Sequence, residues 1–155
     1  MPRADRPPLW LWINLLSLDA PLVAVVWQDF LARCYGAPLL PQVRWALGLT
    51  VWAIYIADRL LDVRTPASGH EPPLSRFYRT NLWLAAAALA LILSADLLIT
   101  VEWLRPAIRV TGFFVLVATL TYLATFTSST ARSPVWKSAS AALLFAAGVF
   151  AVAWT

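Results

Sequence analysis

Five long apolar stretches, separated by short polar segments, constrain this chain more than any other feature of its sequence. They cover residues 9–31, 43–61, 82–101, 107–127 and 138–155. An α-helix rises about 1.5 Å per residue, so about 20 apolar residues are needed to cross a hydrocarbon core of about 30 Å. The first four stretches meet this length and the fifth is marginal. The pattern predicts an all-α fold, a polytopic transmembrane bundle of about five helices, with residues 1–155 forming one unit.

The composition agrees with a chain that is solvated largely by lipid. Hydrophobic residues make up 61% of the sequence and charged residues 13%, whereas about a quarter of a typical soluble domain is charged. So few charges cannot cover a soluble surface of this size. The net charge of +4 is spread over the interhelical segments rather than gathered on one stripe, which argues against nucleic-acid binding. The single cysteine, Cys34, excludes an internal disulfide.

The placement of lysine and arginine predicts the orientation of the bundle. If the N-terminus is cytoplasmic, eight basic residues lie on the cytoplasmic side and four on the other side. The excess favours a cytoplasmic N-terminus, and we expect the inner (plasma) membrane of a bacterium. The longest polar segment, residues 62–81, is then cytoplasmic. Its prolines predict a loop with a short interfacial helix near residues 75–79.

An aspartate pair marks the cytoplasmic end of the second stretch. Asp58 and Asp62 are four residues apart, which places both on one face of a helix with Cβ atoms about 6 Å apart. Their charges repel by about 3 kcal/mol at an effective dielectric of about 20, so a cation is expected nearby. Mg²⁺ suits hard oxygen ligands and commonly bridges carboxylates to substrate phosphates. Alternatively, neighbouring arginines such as Arg59 and Arg64 simply neutralise the pair at the membrane boundary.

Other polar residues within the apolar stretches have two interpretations each. Asp19, in the first stretch, costs about 3 kcal/mol on insertion scales, so it either lines a cavity or makes a structural hydrogen bond with a partner such as Asn14. Asp29 and Asp96 are expected to be boundary residues. The threonines of the fourth stretch are expected to donate interhelical hydrogen bonds. His70 has no ligand-type neighbour except Glu71, so a solvated histidine is expected.

Three segments together resemble the UbiA-type membrane prenyltransferases. The run Asp58-Arg-Leu-Leu-Asp62 resembles the latter part of that family's first aspartate-rich motif. The run Ser17-Leu-Asp19-Ala-Pro21 resembles the short Leu-x-x-Pro segment on the family's first helix. Lys137, followed by an apolar run, resembles the lysine before the fifth helix. The three segments follow in the family's order.

The resemblance implies the N-terminal half of a nine-helix bundle that binds a prenyl diphosphate through Mg²⁺ and transfers the prenyl group to an aromatic or lipid acceptor. It implies that Asp58 and Asp62 are metal ligands. The residues that it and the position of the cytoplasmic loop suggest for substrate binding are Arg64, Arg76, Arg79, Lys137 and Asp19.

The chain also departs from the family pattern in two places. Ile54 and Tyr55 stand where the family has Asn-Asp, and a second aspartate-rich motif would follow the fifth helix. The chain is therefore a fragment, a partner of a second chain that supplies the missing helices, or a degenerate relative. The alternative from another class is a non-catalytic membrane subunit or transporter half, in which the charged residues form structural ion pairs.

Overall fold

A computed structural model of the chain describes residues 16–37, 39–63, 73–127 and 134–151. Regular secondary structure in these residues is entirely helical, which confirms the all-α prediction. The described helices are α1 (Asp19–Cys34), α2 (Pro41–Asp62), α3 (Pro73–Thr80), α4 (Leu82–Trp103), α5 (Pro106–Thr127) and α6 (Pro134–Ala151). The short α3 lies where the sequence predicts a short helix after the proline-containing loop.

The start of α1 corrects the prediction that residues 9–31 form one continuous helix. Leu16 and Ser17 form a turn, and Ser17 has a φ of 53°, in the left-handed region that non-glycine residues rarely adopt. Two contacts hold this turn: Trp52 Nε1–H donates to the Leu16 carbonyl oxygen at 2.8 Å, and the Ser17 and Tyr78 hydroxyls are 3.1 Å apart. Asp19 therefore lies in the first turn of α1 rather than in the middle of a helix. Residues 9–15 and Asn14 are outside the described part of the chain.

Helices α1 and α2 form a closely packed antiparallel pair. α1 turns a row of small buried residues, including Ala20 and Ala24, towards its neighbours. A Cβ added at Gly48 of α2 would lie only 3.3 Å from Val25 Cγ2, so glycine permits the close approach. At the loop end of the pair, Arg44 Nε lies 2.7 Å from Asp29 Oδ1.

Helix α2 is the centre of the bundle and packs against each of the other described helices. Two buried clusters lie along it. One joins Ala20 and Ala24 of α1 to Leu47 and Val51 of α2 and to Val149 of α6. The other is formed by Ala53 and Ile56 of α2 with Tyr78 of α3 and Ile92 of α4. Because α2 shares both clusters, it positions α1 and α6 on one side and α3 and α4 on the other.

Within the described residues, α4 is the one helix that is long and apolar enough to cross a membrane. Its mean hydropathy is 2.3 and only 6% of the apolar window is buried inside the protein. A shorter apolar segment, Pro106–Tyr122, belongs to α5. Of the about five membrane spans predicted from the sequence, the described residues thus contain one candidate span. The other four stay a prediction.

Candidate functional site

A cavity of about 740 Å³ lies between α1, α2, α5 and α6. One face of α2 forms its longest wall, and the side chains on this face recur every three or four residues, as one side of a helix requires. They are Leu47, Thr50, Val51, Ile54, Tyr55, Asp58, Arg59 and Asp62. The other helices contribute Asp19, Ala20 and Val23 of α1, Val115, Thr119 and Tyr122 of α5, and Ala142, Leu144, Phe145 and Gly148 of α6.

The end of the cavity near the C-terminus of α2 is charged. Asp58, Arg59 and Asp62 all line it, so the four-residue spacing does place both carboxylates against the same space. Arg59 Nη1 lies 3.8 Å from Asp62 Oδ2, a long ion pair between two partly exposed side chains. The Nε of Arg59 is buried and has no hydrogen-bond partner among the described residues. Arg59 is therefore a cation that lines the cavity beside the aspartate pair, with its Nε enclosed by the surrounding side chains.

Asp19 lines the same cavity from the opposite wall. Because α1 and α2 are antiparallel and Val25 faces Gly48, Asp19 is at about the level of Ile54, roughly one helical turn below Asp58. Within the part of the chain that the structure describes, no group of three or more His, Cys, Asp or Glu side chains is arranged to hold a metal ion. Asp19 is thus a third acidic residue of the cavity, but it does not form a three-carboxylate metal site with Asp58 and Asp62.

The remaining walls of the cavity are apolar in character. Leu47, Val51 and Phe145 supply hydrocarbon surface. The two threonines there have their hydroxyls engaged elsewhere: Thr50 donates to Asp96 Oδ2 at 2.7 Å, and Thr119 donates to the Val115 carbonyl oxygen at 2.8 Å. The cavity therefore has a charged end and an apolar end, which is the distribution that an amphiphilic ligand requires.

The other predicted substrate-binding residues are placed as follows. Arg76 and Arg79 lie on α3 with exposed side chains and are not among the residues that line the cavity. Arg64 lies outside the described residues. Lys137 lies in the first turn of α6, where the structure describes the backbone only. Their roles in substrate binding stay predictions.

Sequence reasoning missed Arg59 and Tyr122 as residues of the cavity. The sequence analysis gives Arg59 the role of a counter-ion for the aspartates, but its position on the same face of α2 as Tyr55 and Asp58 also indicates a place in the cavity wall. Tyr122 had no such signal, because α5 is apolar on all sides and nothing in its pattern indicates which side faces α2.

The structure also tests three predictions about other polar residues. The threonines of α5 were expected to bond between helices, but Thr111 and Thr119 donate to carbonyl oxygens of their own helix, four residues earlier. Asp29 lies near the end of α1 in an ion pair with Arg44. Asp96, expected at a boundary, instead accepts a hydrogen bond from Thr50 in the interface of α2 and α4. His70 is outside the described residues.

No protein-family model matches the chain, and neither a curated protein nor a solved structure matches it.

Proposed function

We propose that this chain is a polytopic membrane protein that binds a prenyl diphosphate in the α1–α2–α5–α6 cavity and, completed by a second half, transfers the prenyl group to an aromatic or lipid acceptor. The observation that carries the proposal is the cavity itself. It joins the Asp58–Asp62 pair to an apolar interior of a size typical of small-molecule sites, which run from about 300 to about 1,000 Å³.

Exposed apolar side chains support the membrane part of the proposal. Trp83 and Leu91 of α4 are 85% and 73% exposed, and Leu143 of α6 is 72% exposed. Soluble proteins rarely expose large contiguous apolar surfaces, whereas lipid or further helices cover them at no cost. With the N-terminus in the cytoplasm of a bacterium, the excess of arginine lies inside and the Asp58–Asp62 pair opens to the cytoplasm, where soluble diphosphates are available.

The aspartate pair fits Mg²⁺ bound together with a diphosphate. Mg²⁺ typically takes one or two protein carboxylates and completes its coordination with water and substrate phosphates, so Asp58 and Asp62 form a sufficient protein contribution. When bound, the ion neutralises negative charge on the diphosphate and makes it a better leaving group. Among the described residues, Arg59 is the arginine that lines the cavity, so its guanidinium group can donate to a diphosphate oxygen there.

The chain's own residues then have three tasks. Arg59, with the predicted contacts Arg64, Arg76, Arg79 and Lys137, binds the diphosphate. The apolar wall orients the prenyl chain, and Asp19 lines the space beside it. In the transfer, the allylic C–O bond breaks, the diphosphate leaves with the electron pair, and the acceptor carbon forms the new bond and releases a proton. Stabilisation of the developing negative charge is the part that the protein supplies.

One observation favours a second candidate, a non-catalytic membrane subunit or transporter half. The ion pair between Arg59 and Asp62, two partly exposed side chains, is also typical of a structural ion pair at a membrane boundary. In that case neither Mg²⁺ nor a diphosphate changes the protein, and the cavity is filled by lipid tails.

Mg²⁺-dependent binding separates the two candidates. Purified protein in detergent is titrated with farnesyl diphosphate in Mg²⁺ or in EDTA, for the wild type and for Asp58→Asn/Asp62→Asn. Loss of an outer-shell partner alone costs a metal site about 10- to 100-fold in affinity, so loss of both ligands should weaken binding by at least about 100-fold.

The matched control is Asp29→Asn/Glu102→Gln, which removes the same number of negative charges from outside the cavity. It should bind as the wild type does. Binding that is indifferent to Mg²⁺, or equal in both double variants, would rule out the prenyl diphosphate site and leave the structural subunit.

A further inference from the structure

Buried side chains line the apolar end of the cavity. Ala20, Leu47 and Val51 line the cavity and also belong to the buried cluster that includes Ala24 and Val149. Ala24 is 0% exposed and Val149 is 3% exposed, and neither lines the cavity. They therefore lie behind the lining residues, and this cluster forms a floor that a ligand cannot pass without displacing core side chains.

Gly148 lies at this floor, where three helices meet. A Cβ added there would be 3.9 Å from Val115 Cγ1 of α5 and 4.0 Å from Leu47 Cδ1 of α2, which is ordinary van der Waals contact. The backbone packing thus does not require glycine at this position. Gly148 leaves open a space that any longer side chain would fill, and that space belongs to the cavity.

We propose that Gly148, facing Leu47 and Val115, determines the length of the apolar tail that the cavity accepts. The inference rests on the proposed function and deepens it by naming a residue that limits the length of the substrate's tail. Asp58 and Leu47 are eleven residues apart on α2, so the charged end and the floor are separated by about 16 Å at about 1.5 Å per residue. A diphosphate head bound at Asp58 occupies part of this distance, so the ligand is an amphiphile with a diphosphate head and one tail no longer than a farnesyl chain.

The physical basis is exclusion by the floor. A tail longer than the cavity has to open the Ala20–Leu47–Val51 cluster or fold back on itself, and both remove favourable packing. A single methylene group that a pocket cannot accommodate changes affinity by about 10- to 200-fold. Geranyl diphosphate, with a shorter tail, fits but leaves the floor uncovered.

The test compares three probes of increasing tail length: geranyl, farnesyl and geranylgeranyl diphosphate, each titrated in Mg²⁺ against purified protein in detergent. The wild type should bind farnesyl diphosphate at least about tenfold more tightly than geranylgeranyl diphosphate. Gly148→Leu should lower the affinity for farnesyl diphosphate by about tenfold or more, while its affinity for geranyl diphosphate stays within a few-fold of the wild type's. Gly112→Leu is the matched control, because a Cβ at Gly112 meets nothing within 4 Å and Gly112 does not line the cavity.

A second variant changes the cavity in the other direction. Val115→Ala shortens the lining side chain that faces Gly148 and should raise the affinity for geranylgeranyl diphosphate relative to farnesyl diphosphate. This second variant keeps the proposal testable if Gly148→Leu fails to fold. If the wild type binds all three probes and neither variant changes their order, the length-setting role of Gly148 is wrong and the proposed function stands. If the wild type binds none of them, the proposed function itself fails.

Discussion

At the scale of single residues, a hydrogen bond between Thr50 and Asp96 connects α2 and α4. Asp96 is a carboxylate within the most apolar helix, where an acidic group needs a partner, and Thr50 Oγ1 donates to it at 2.7 Å. Both side chains are partly buried, so water replaces this bond poorly. The same hydrogen bond turns the Thr50 hydroxyl away from the cavity and keeps that wall apolar.

We expect Thr50→Val to lower the free energy of unfolding by about 1–3 kcal/mol, because it leaves a partly buried carboxylate oxygen without its donor. The measurement is thermal unfolding in detergent followed by tryptophan fluorescence. Ser94→Ala is the control, since Ser94 is exposed and donates only to the Ala90 carbonyl oxygen of its own helix. Equal melting of the two variants would mean that the Thr50–Asp96 bond contributes nothing to stability.

At the scale of elements, the short helix α3 packs onto the bundle through the aromatic residues Phe77 and Tyr78. Tyr78 is 4% exposed, packs with Ala53 and Ile56, and has its hydroxyl 3.1 Å from the hydroxyl of Ser17. Ser17 is itself 3% exposed and adopts the left-handed turn before α1. One hydrogen bond thus connects the start of α1 with α3, although the two residues are far apart in the sequence.

Tyr78→Phe should destabilise the protein by about 1–2 kcal/mol, because it leaves the buried Ser17 hydroxyl without a partner. Removing both hydroxyls in Ser17→Ala/Tyr78→Phe should cost less than the sum of the two single changes, as a double-mutant cycle of unfolding free energies measures. Tyr35→Phe serves as the control at an exposed tyrosine. Strict additivity would show that the two hydroxyls do not interact.

At the scale of the whole molecule, the proposed orientation places the loop between α1 and α2 outside the cytoplasm. Cys34, the single cysteine of the chain, lies at the end of α1 next to this loop and is exposed. Arg33 and Arg44 lie nearby, and they belong to the smaller group of basic residues in the predicted arrangement. The chain therefore carries its own reporter of orientation.

A membrane-impermeant maleimide added to intact spheroplasts should label Cys34 in the wild type. In a Cys34→Ser background, Thr80→Cys, at an exposed position of α3, should be labelled only after the membrane is opened. If the N-terminus is outside, the cysteine at position 80 should be labelled in intact spheroplasts, and Cys34 should be labelled only after the membrane is opened. Labelling of both sites in closed spheroplasts would argue against any membrane crossing between them.

Much of the helical content could be predicted from the sequence, for a physical reason. Long apolar stretches have to satisfy their backbone hydrogen bonds internally, and helices do so within one segment. The aspartate pair could be predicted too, because residues four apart on α2 necessarily share a face. The same regularity extends along α2 from Leu47 to Asp62, so the residues that share this wall of the cavity can be predicted from helical periodicity alone.

Tertiary structure alone decided which helices face that wall. α4 and α5 are apolar on all sides, so no periodicity in the sequence indicates their neighbours. Contacts from residues distant in sequence, Trp52 and Tyr78, hold the turn at Ser17 and thereby set Asp19 at the start of α1. Packing between helices also places Arg76 of α3 away from the described residues that line the cavity. The local sequence pattern determined the helices of this protein, and packing between side chains that are distant in the sequence determined which helices surround the candidate site.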